Sequence, residues 1–190
     1  MLYPYKMLYK ICSGIKGIRF LILSRIQTFL FKKILRRAGD GLHTYFPCEI
    51  TGCEFVEVGD NVHINKGAYI KGEGGVIIGD NVHIGRNFTL YTTNHNYKGK
   101  ALPYDSENIK KNVTIGNNVW IGINVTIIPG RKISDGAIIG AGTVITNDVP
   151  RLAIVGSLSQ IRSYRDKKHY DYLVKNNKYG GVNGKLYSIK

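Results

Sequence analysis

Along much of the chain an aliphatic residue returns at every sixth position. Val58, Ile64, Ile78, Ile84, Ile115, Ile121, Ile127, Ile133, Ile139 and Ile145 are all valine or isoleucine. Within each block the step is six, and two extra residues near Gly74-Gly75 offset the first two blocks. Glycine often follows, as at Gly59, Gly79, Gly85, Gly116, Gly122 and Gly140. Four positions after most of the aliphatics stands another small or apolar residue: Val62, Ala68, Val82, Val119, Val125, Ala137, Thr143 and Val149. The hexapeptide GDNVHI occurs at both 59–64 and 79–84. This period matches neither a helix nor the alternation of a hairpin sheet. It matches a short strand followed by a tight corner. The β-branched residue suits a pleated, buried position, and Gly-Asp or Gly-Asn pairs suit corners with positive φ or crowded backbone. Three units make a triangular coil of about 18 residues, and coils stack at the inter-strand spacing of roughly 4.8 Å. The pattern predicts an all-β solenoid over residues 41–156, with a column of Val and Ile as its core.

Both ends depart from this period. Ile11, Ile15, Ile18, Ile22, Ile26, Phe29 and Ile34 are separated by threes, fours and one five, which predicts a partly amphipathic helix over 8–37 within an N-terminal arm, residues 1–40. Residues 157–190 read as a C-terminal helix, over roughly 163–176, and a glycine-containing tail from 178 onward that is extended or mobile.

The period also breaks inside the solenoid. Residues 91–112 form a polar insertion that begins YTTNHNYKGKALPYD. A stack held together only by neighbouring coils tolerates such an insertion, and a polar loop of this length in a compact domain is usually functional or disordered. His95 lies five residues after Leu90, so it is expected close to the rigid stack while the loop protrudes.

Charge changes the picture at one end only. The chain has 27 Lys and Arg against 13 Asp and Glu. Lys6, Lys10, Lys16, Arg19, Arg25, Lys32, Lys33, Arg36 and Arg37 precede the first acidic residue, Asp40. The remainder is much closer to balance, which argues against nucleic acid as the partner. The basic arm has two open placements: on an anionic membrane surface, or against the coil stack or another subunit. Cys12, Cys48 and Cys53 form no CxxC pair, so neither a disulfide framework nor a zinc knuckle is expected. The longest apolar run near the start, 20–23, is far too short to span a bilayer.

Three segments carry a resemblance: NHNYKGKALPYD at 94–105, NVWIGINVTIIPG at 118–130 and GAIIGAGTVITNDVP at 136–150. Over roughly residues 41–166 the chain resembles the hexapeptide-repeat acyltransferases, and most of all the branch that O-acetylates sugars. The resemblance implies a left-handed parallel β-helix, whereas general rules for parallel crossovers favour the right hand. It further implies acetyl-CoA as co-substrate without a metal, and a homotrimer with the active site between adjacent subunits.

Transfer of an acyl group from a thioester to a hydroxyl needs a base for the hydroxyl proton, and neutral imidazole suits the task. His95 is the expected base, with Asn94, Tyr97 and Tyr104 shaping the acceptor pocket. The resemblance also implies an oxyanion donor among the backbone N–H groups near Gly122-Ile123. It places Trp120 beside the active site, and brings Gly140, Ala141 and Thr146 to the pantetheine arm. Arg162, with Arg165 and Lys167, would either meet the phosphates or lie on a solvated helix face. Where the family shows a Gly-x-Pro-Ala-like step, this chain reads Gly156-Ser157-Leu158-Ser159, without the proline. The expected acceptor is a sugar or lipid-linked saccharide in cell-surface polysaccharide assembly. The expected location is the cytoplasm, at the inner face of the membrane if residues 1–37 bind lipid.

A xenobiotic O-acetyltransferase or an amino-sugar N-acetyltransferase would use the same base. A zinc-dependent enzyme of the same fold would need three ligating histidines. His63 and His83 share a phase and are expected to stack on one outer face, while His43 and His169 have no supporting context.

Overall fold

The computed structural model describes residues 3–96, 98, 103–104, 106–156, 160–164, 166–180 and 186–187; side chains at 3–13, 15, 16, 160, 162, 179, 180, 186 and 187 are outside that description. Short parallel strands build a solenoid of about six turns. They fall into three sheets, the faces of a prism. The first face contains Arg37–Ala38, Val56–Val58, Val76–Ile78, Val113–Ile115 and Lys132–Ile133. The second contains His43–Thr44, His63–Ile64, His83–Ile84, Trp120–Ile121, Ile138–Ile139 and Ala153–Gly156. The third contains Cys48–Thr51, Ala68–Lys71, Thr89–Tyr91, Thr126–Ile127 and Val144–Ile145.

The six-residue register is literal. On the second face Ile64 pairs with Ile84, Ile84 with Ile121 and Ile121 with Ile139. On the third, Ile70 pairs with Leu90 and Leu90 with Ile127. All of these side chains are buried, each worth about 1.5–3 kcal/mol on leaving water. Small residues at the preceding corner positions, such as Val62, Val82, Val119 and Ala137, fill the space between the columns.

The corners explain the repeated Gly-Asp-Asn. A Cβ on Gly59 would lie 2.2 Å from Asp80 Oδ1, and one on Gly85 2.5 Å from the Gly122 carbonyl carbon. Adjacent coils therefore approach too closely for any side chain. Each corner Asp or Asn then accepts from the backbone N–H of the coil before it: Asp60 from Asp40 (2.7 Å), Asp80 from Asp60 (2.8 Å), Asn117 from Asp80 (2.7 Å) and Asp135 from Asn117 (2.8 Å). The following Asn turns the chain in the left-handed region, with φ of 52° at Asn61, 56° at Asn81 and 58° at Asn118, a conformation that Asn tolerates. These ladders satisfy corner backbone that would otherwise be orphaned.

Both ends differ in detail from expectation. Helix α1 spans Tyr3–Ile34, starting earlier and ending sooner than the 8–37 pattern. It stops because Arg36 N–H donates to Cys53 O and Arg37 pairs with Glu57 in the first face. Its C-terminal half lies across the first coil, burying Phe31 and Leu35. The expected helix over 163–176 is shorter. Residues 160–164 instead add an antiparallel strand beside Ala153–Gly156. Helix α2, Lys167–Lys175, begins only where the Asp166 side chain accepts from His169 N–H. It is anchored by Tyr170, whose hydroxyl accepts from Asn118 Nδ2 at 2.9 Å. In the tail, Tyr179–Gly180 pairs with Leu186–Tyr187; residues 181–185 and 188–190 lie outside the described residues.

Candidate active site

The insertion leaves the prism at the edge between the third and first faces. Its two limbs form an antiparallel ribbon, with Thr93 opposite Lys110, Asn94 opposite Ile109 and His95 opposite Asn108. The root is fixed by Thr92, which is fully buried. Its Oγ1 donates to Lys71 O at 2.6 Å and accepts from Gly74 N–H at 2.8 Å, both in the preceding coil. Lys111 N–H donates to Thr92 O at 2.8 Å and closes the ribbon. The chain so rooted delivers His95 three residues later, at the surface rather than in the core.

The His95 ring stacks flat on Tyr104, with centroids 3.8 Å apart and planes 8° from parallel. Its backbone N–H donates to Asn94 Oδ1 at 2.9 Å. Asn94 and His95 line a cleft of about 580 Å³ together with Tyr91, Thr93, Lys98 and Lys111, and with Ile128, Pro129 and Arg131 from the corner of the next coil. Gly130, at φ 81°, leaves room for the Lys111 stem, which a Cβ there would meet at 3.1 Å. Arg131 Nη1 donates to Thr146 O at 3.2 Å and faces Asp148 at 3.9 Å. Residues Lys98, Lys111, Ile128 and Arg131 were not singled out from sequence. Their only signal is position, on the same prism edge as the insertion.

The expected site residues do not all meet. Asn94 and His95 share the cleft, and Tyr104 joins through its ring. Thr146 sits on the same prism edge, one coil beyond Arg131. Trp120 lies elsewhere, on the second face, 57 % exposed. Gly122, Ile123, Gly140 and Ala141 form the adjoining edge, between the second and third faces. There Gly122 N–H already donates to Ile139 O, and Gly140 N–H to Val155 O, both at 2.8 Å. Of the Gly122-Ile123 pair, the N–H not engaged in the coil ladder is that of Ile123. A Cβ on Gly122 would lie 2.7 Å from Ala141 N, so its smallness serves coil stacking. Tyr97 and Arg165 lie outside the described residues, as does the side chain of Arg162, in the strand Gln160–Tyr164.

Face two also carries a column of imidazoles. His63 lies against His83 with centroids 4.4 Å apart, but the rings are tilted by 50° and His63 is buried rather than on an open outer face; His43 stacks on the other side of His63 at 5.1 Å, with planes 21° apart. His43, which had no context in the sequence reading, is in register with His63. The missed signal is spacing, since 43, 63 and 83 are separated by one 20-residue coil each. Burial, and then the neighbouring His83 and His43, push the His63 pKa down to about 4. His63 Nε2 lies 3.2 Å from Asn61 Oδ1. No group of three or more His, Cys, Asp or Glu among the described residues is arranged to hold a metal. Burial raises the Cys48 thiol to about 12, which keeps it protonated and unreactive.

Two family models match the chain: bacterial transferase hexapeptide (six repeats) over residues 112–147, and hexapeptide repeat of succinyl-transferase over 55–91. The galactoside O-acetyltransferase of Escherichia coli (strain K12) is 36% identical over 94 residues, covering 46% of each chain. The match thus spans less than half the length of that relative. A hexapeptide-repeat acetyltransferase from Vibrio cholerae superimposes with a TM-score of 0.66 at 26% identity, covering 76% of this chain and 82% of its own. The same acetyltransferase is also known in complex with acetyl-CoA. A maltose O-acetyltransferase from Clostridium difficile 630 superimposes with a TM-score of 0.63 at 26% identity, covering 72% of this chain and 73% of its own.

Proposed function

Because the chain belongs to the hexapeptide-repeat acyltransferase superfamily, we propose that it transfers an acetyl group from acetyl-CoA to a sugar hydroxyl, with His95 as general base. The observation that carries this reading is the rooted ribbon, which presents the one imidazole of the insertion to a cleft large enough for a saccharide unit. Sugar O-acetyltransferases among the similar proteins favour a hydroxyl over an amine acceptor. The acceptor oxygen attacks the thioester carbonyl carbon while neutral His95 takes its proton. The tetrahedral oxyanion is held by a backbone N–H, for which Ile123 is the candidate. Collapse breaks the carbon–sulfur bond, and the imidazolium returns the proton to the departing thiolate. No acyl-enzyme forms, in keeping with a Cys48 thiol that burial holds protonated. Asn94, Tyr97 and Tyr104 shape the acceptor pocket. Lys98, Lys111 and Arg131 suit a ligand that carries phosphate, as a lipid-linked saccharide in surface-polysaccharide assembly does.

The donor groups, Trp120, Gly122, Ile123, Gly140 and Ala141, lie on a different part of the prism from His95. A complete site therefore forms when the His95 edge of one subunit meets the Gly140-Ala141 edge of the next, as in a cyclic homotrimer. Thr146 would face coenzyme A from the His95 side, and Arg162 would meet its phosphates. Assay of His95→Ala with acetyl-CoA and a panel of saccharides tests the reading. A loss of about 10²–10⁴-fold in turnover is expected, and the wild-type product should be an ester cleaved by hydroxylamine. Wild-type turnover by folded His95→Ala protein would overturn the role of the base, and a hydroxylamine-stable product would overturn O-transfer.

A further inference from the structure

Helix α1 sets Phe31 and a group of polar side chains toward the protein, and an apolar stripe away from it. Toward the first coil, Ser24 Oγ accepts from Phe46 N–H and Thr28 Oγ1 from Thr44 N–H, both at 2.9 Å, and Gln27 Nε2 donates to Cys48 O. On the opposite side Ile18, Ile22, Ile26 and Phe29 are 63%, 52%, 51% and 60% exposed. At 3.6 residues per turn these four fall within an arc of about 80°. Arg25 and Lys32 border that arc on one side, Arg19 borders it on the other, and Lys33 closes its C-terminal end. Arg36 is turned instead to Glu57, at 3.3 Å. No acidic residue occurs before Asp40, and the sequence continues the apolar spacing backward through Ile15 and Ile11.

We propose that α1 lies flat on an anionic lipid bilayer, with Ile18, Ile22, Ile26 and Phe29 buried at the headgroup boundary and the flanking cations on lipid phosphates. An exposed apolar stripe bordered by Arg and Lys is the form that an interfacial helix takes. A second copy of the same face is a poor occupant, because it would set Arg19, Arg25, Lys32 and Lys33 against their own copies. Insertion across the bilayer is also excluded for this helix. Among the described residues none is long and apolar enough to span. The coil side of α1 is already held by the Ser24, Gln27 and Thr28 bonds, so docking presents the blunt end of the prism to the surface and leaves the cleft edge standing clear. This placement rests on α1 alone and is independent of the reaction assigned to His95.

The test is co-sedimentation of the full chain with vesicles of phosphatidylcholine, alone or mixed with phosphatidylglycerol, at low and high salt. The wild type is expected to bind the mixed vesicles and to be released by salt. Each basic residue at such a surface multiplies partitioning about fivefold. Arg25→Glu/Lys32→Glu should therefore lower binding about 25-fold or more. Ile22→Glu/Ile26→Glu should abolish it without loss of helical circular dichroism, since both side chains are exposed. Equal binding to neutral and anionic vesicles, no binding to either, or wild-type binding by the Ile22→Glu/Ile26→Glu protein would overturn the proposal. So would a change in that variant's mass by light scattering without vesicles, which would make the stripe a protein contact.

Discussion

His63 shows how much a single position depends on its stack. Between two imidazoles and almost out of water, it is held neutral, with its pKa near 4 against an ordinary 6.5. The unfolded chain therefore binds a proton that the folded chain refuses as pH falls below about 6.5. The stability of the neutral form is full above that pH and is lost toward pH 4. From pH 7.5 to 5 this one site should cost about 2 kcal/mol. Urea unfolding at the two pH values should show that fall in the wild type and a correspondingly smaller one in His63→Gln. The same fall in both proteins would place the titration elsewhere. His43 is shifted in the same direction, by burial and by Lys32.

At the scale of the element, the ribbon that carries His95 depends on one hydroxyl. Thr92 Oγ1 ties the ribbon's root to Lys71 O and Gly74 N–H in the coil below. Thr92→Val keeps the shape and removes both bonds, leaving the half-buried Gly74 N–H without its partner. Such a loss costs about 1–3 kcal/mol. A thermal melt should show the destabilisation. Steady-state assay should show kcat falling more than KM changes, because His95, the proposed base, shifts while the rest of the cleft remains. An unchanged kcat in a protein of lowered stability would show that the ribbon holds its geometry without Thr92.

For the whole molecule, the separation of His95 from the Trp120 face makes a direct prediction. If the site is shared between subunits as proposed, His95→Ala and Trp120→Ala chains, each weakly active alone, should regain activity when co-expressed, since mixed assemblies would then contain sites with His95 from one chain and Trp120 from the next. The check is turnover of the purified mixed assembly against each parent. Activity no higher than the average of the parents would mean that each site is built within one chain.

The six-residue period determined the solenoid by itself. An aliphatic at every sixth position has one way to be buried continuously, in coils of three strands, and Ile64, Ile84, Ile121 and Ile139 stack in that register. The insertion and its histidine were equally legible, because a break in a regular period is visible without coordinates. The ends were less so: a 3.6-type spacing shows that α1 is helical, but hydrogen bonds to the first coil decide which side faces in. Those bonds use Ser24, Gln27 and Thr28 beside the buried Phe31, so the stripe of Ile18, Ile22, Ile26 and Phe29 ends outside. The strand at residues 160–164 forms because the last coil leaves an edge to pair with, which is a fact about neighbours in space. The division of the candidate site was likewise hidden, since His95, Trp120 and Gly140 are close in motif but lie on different faces and edges of a prism. Sequence order counts residues along the coil, whereas the site depends on which edge each count reaches, and only the closed three-sided coil decides that.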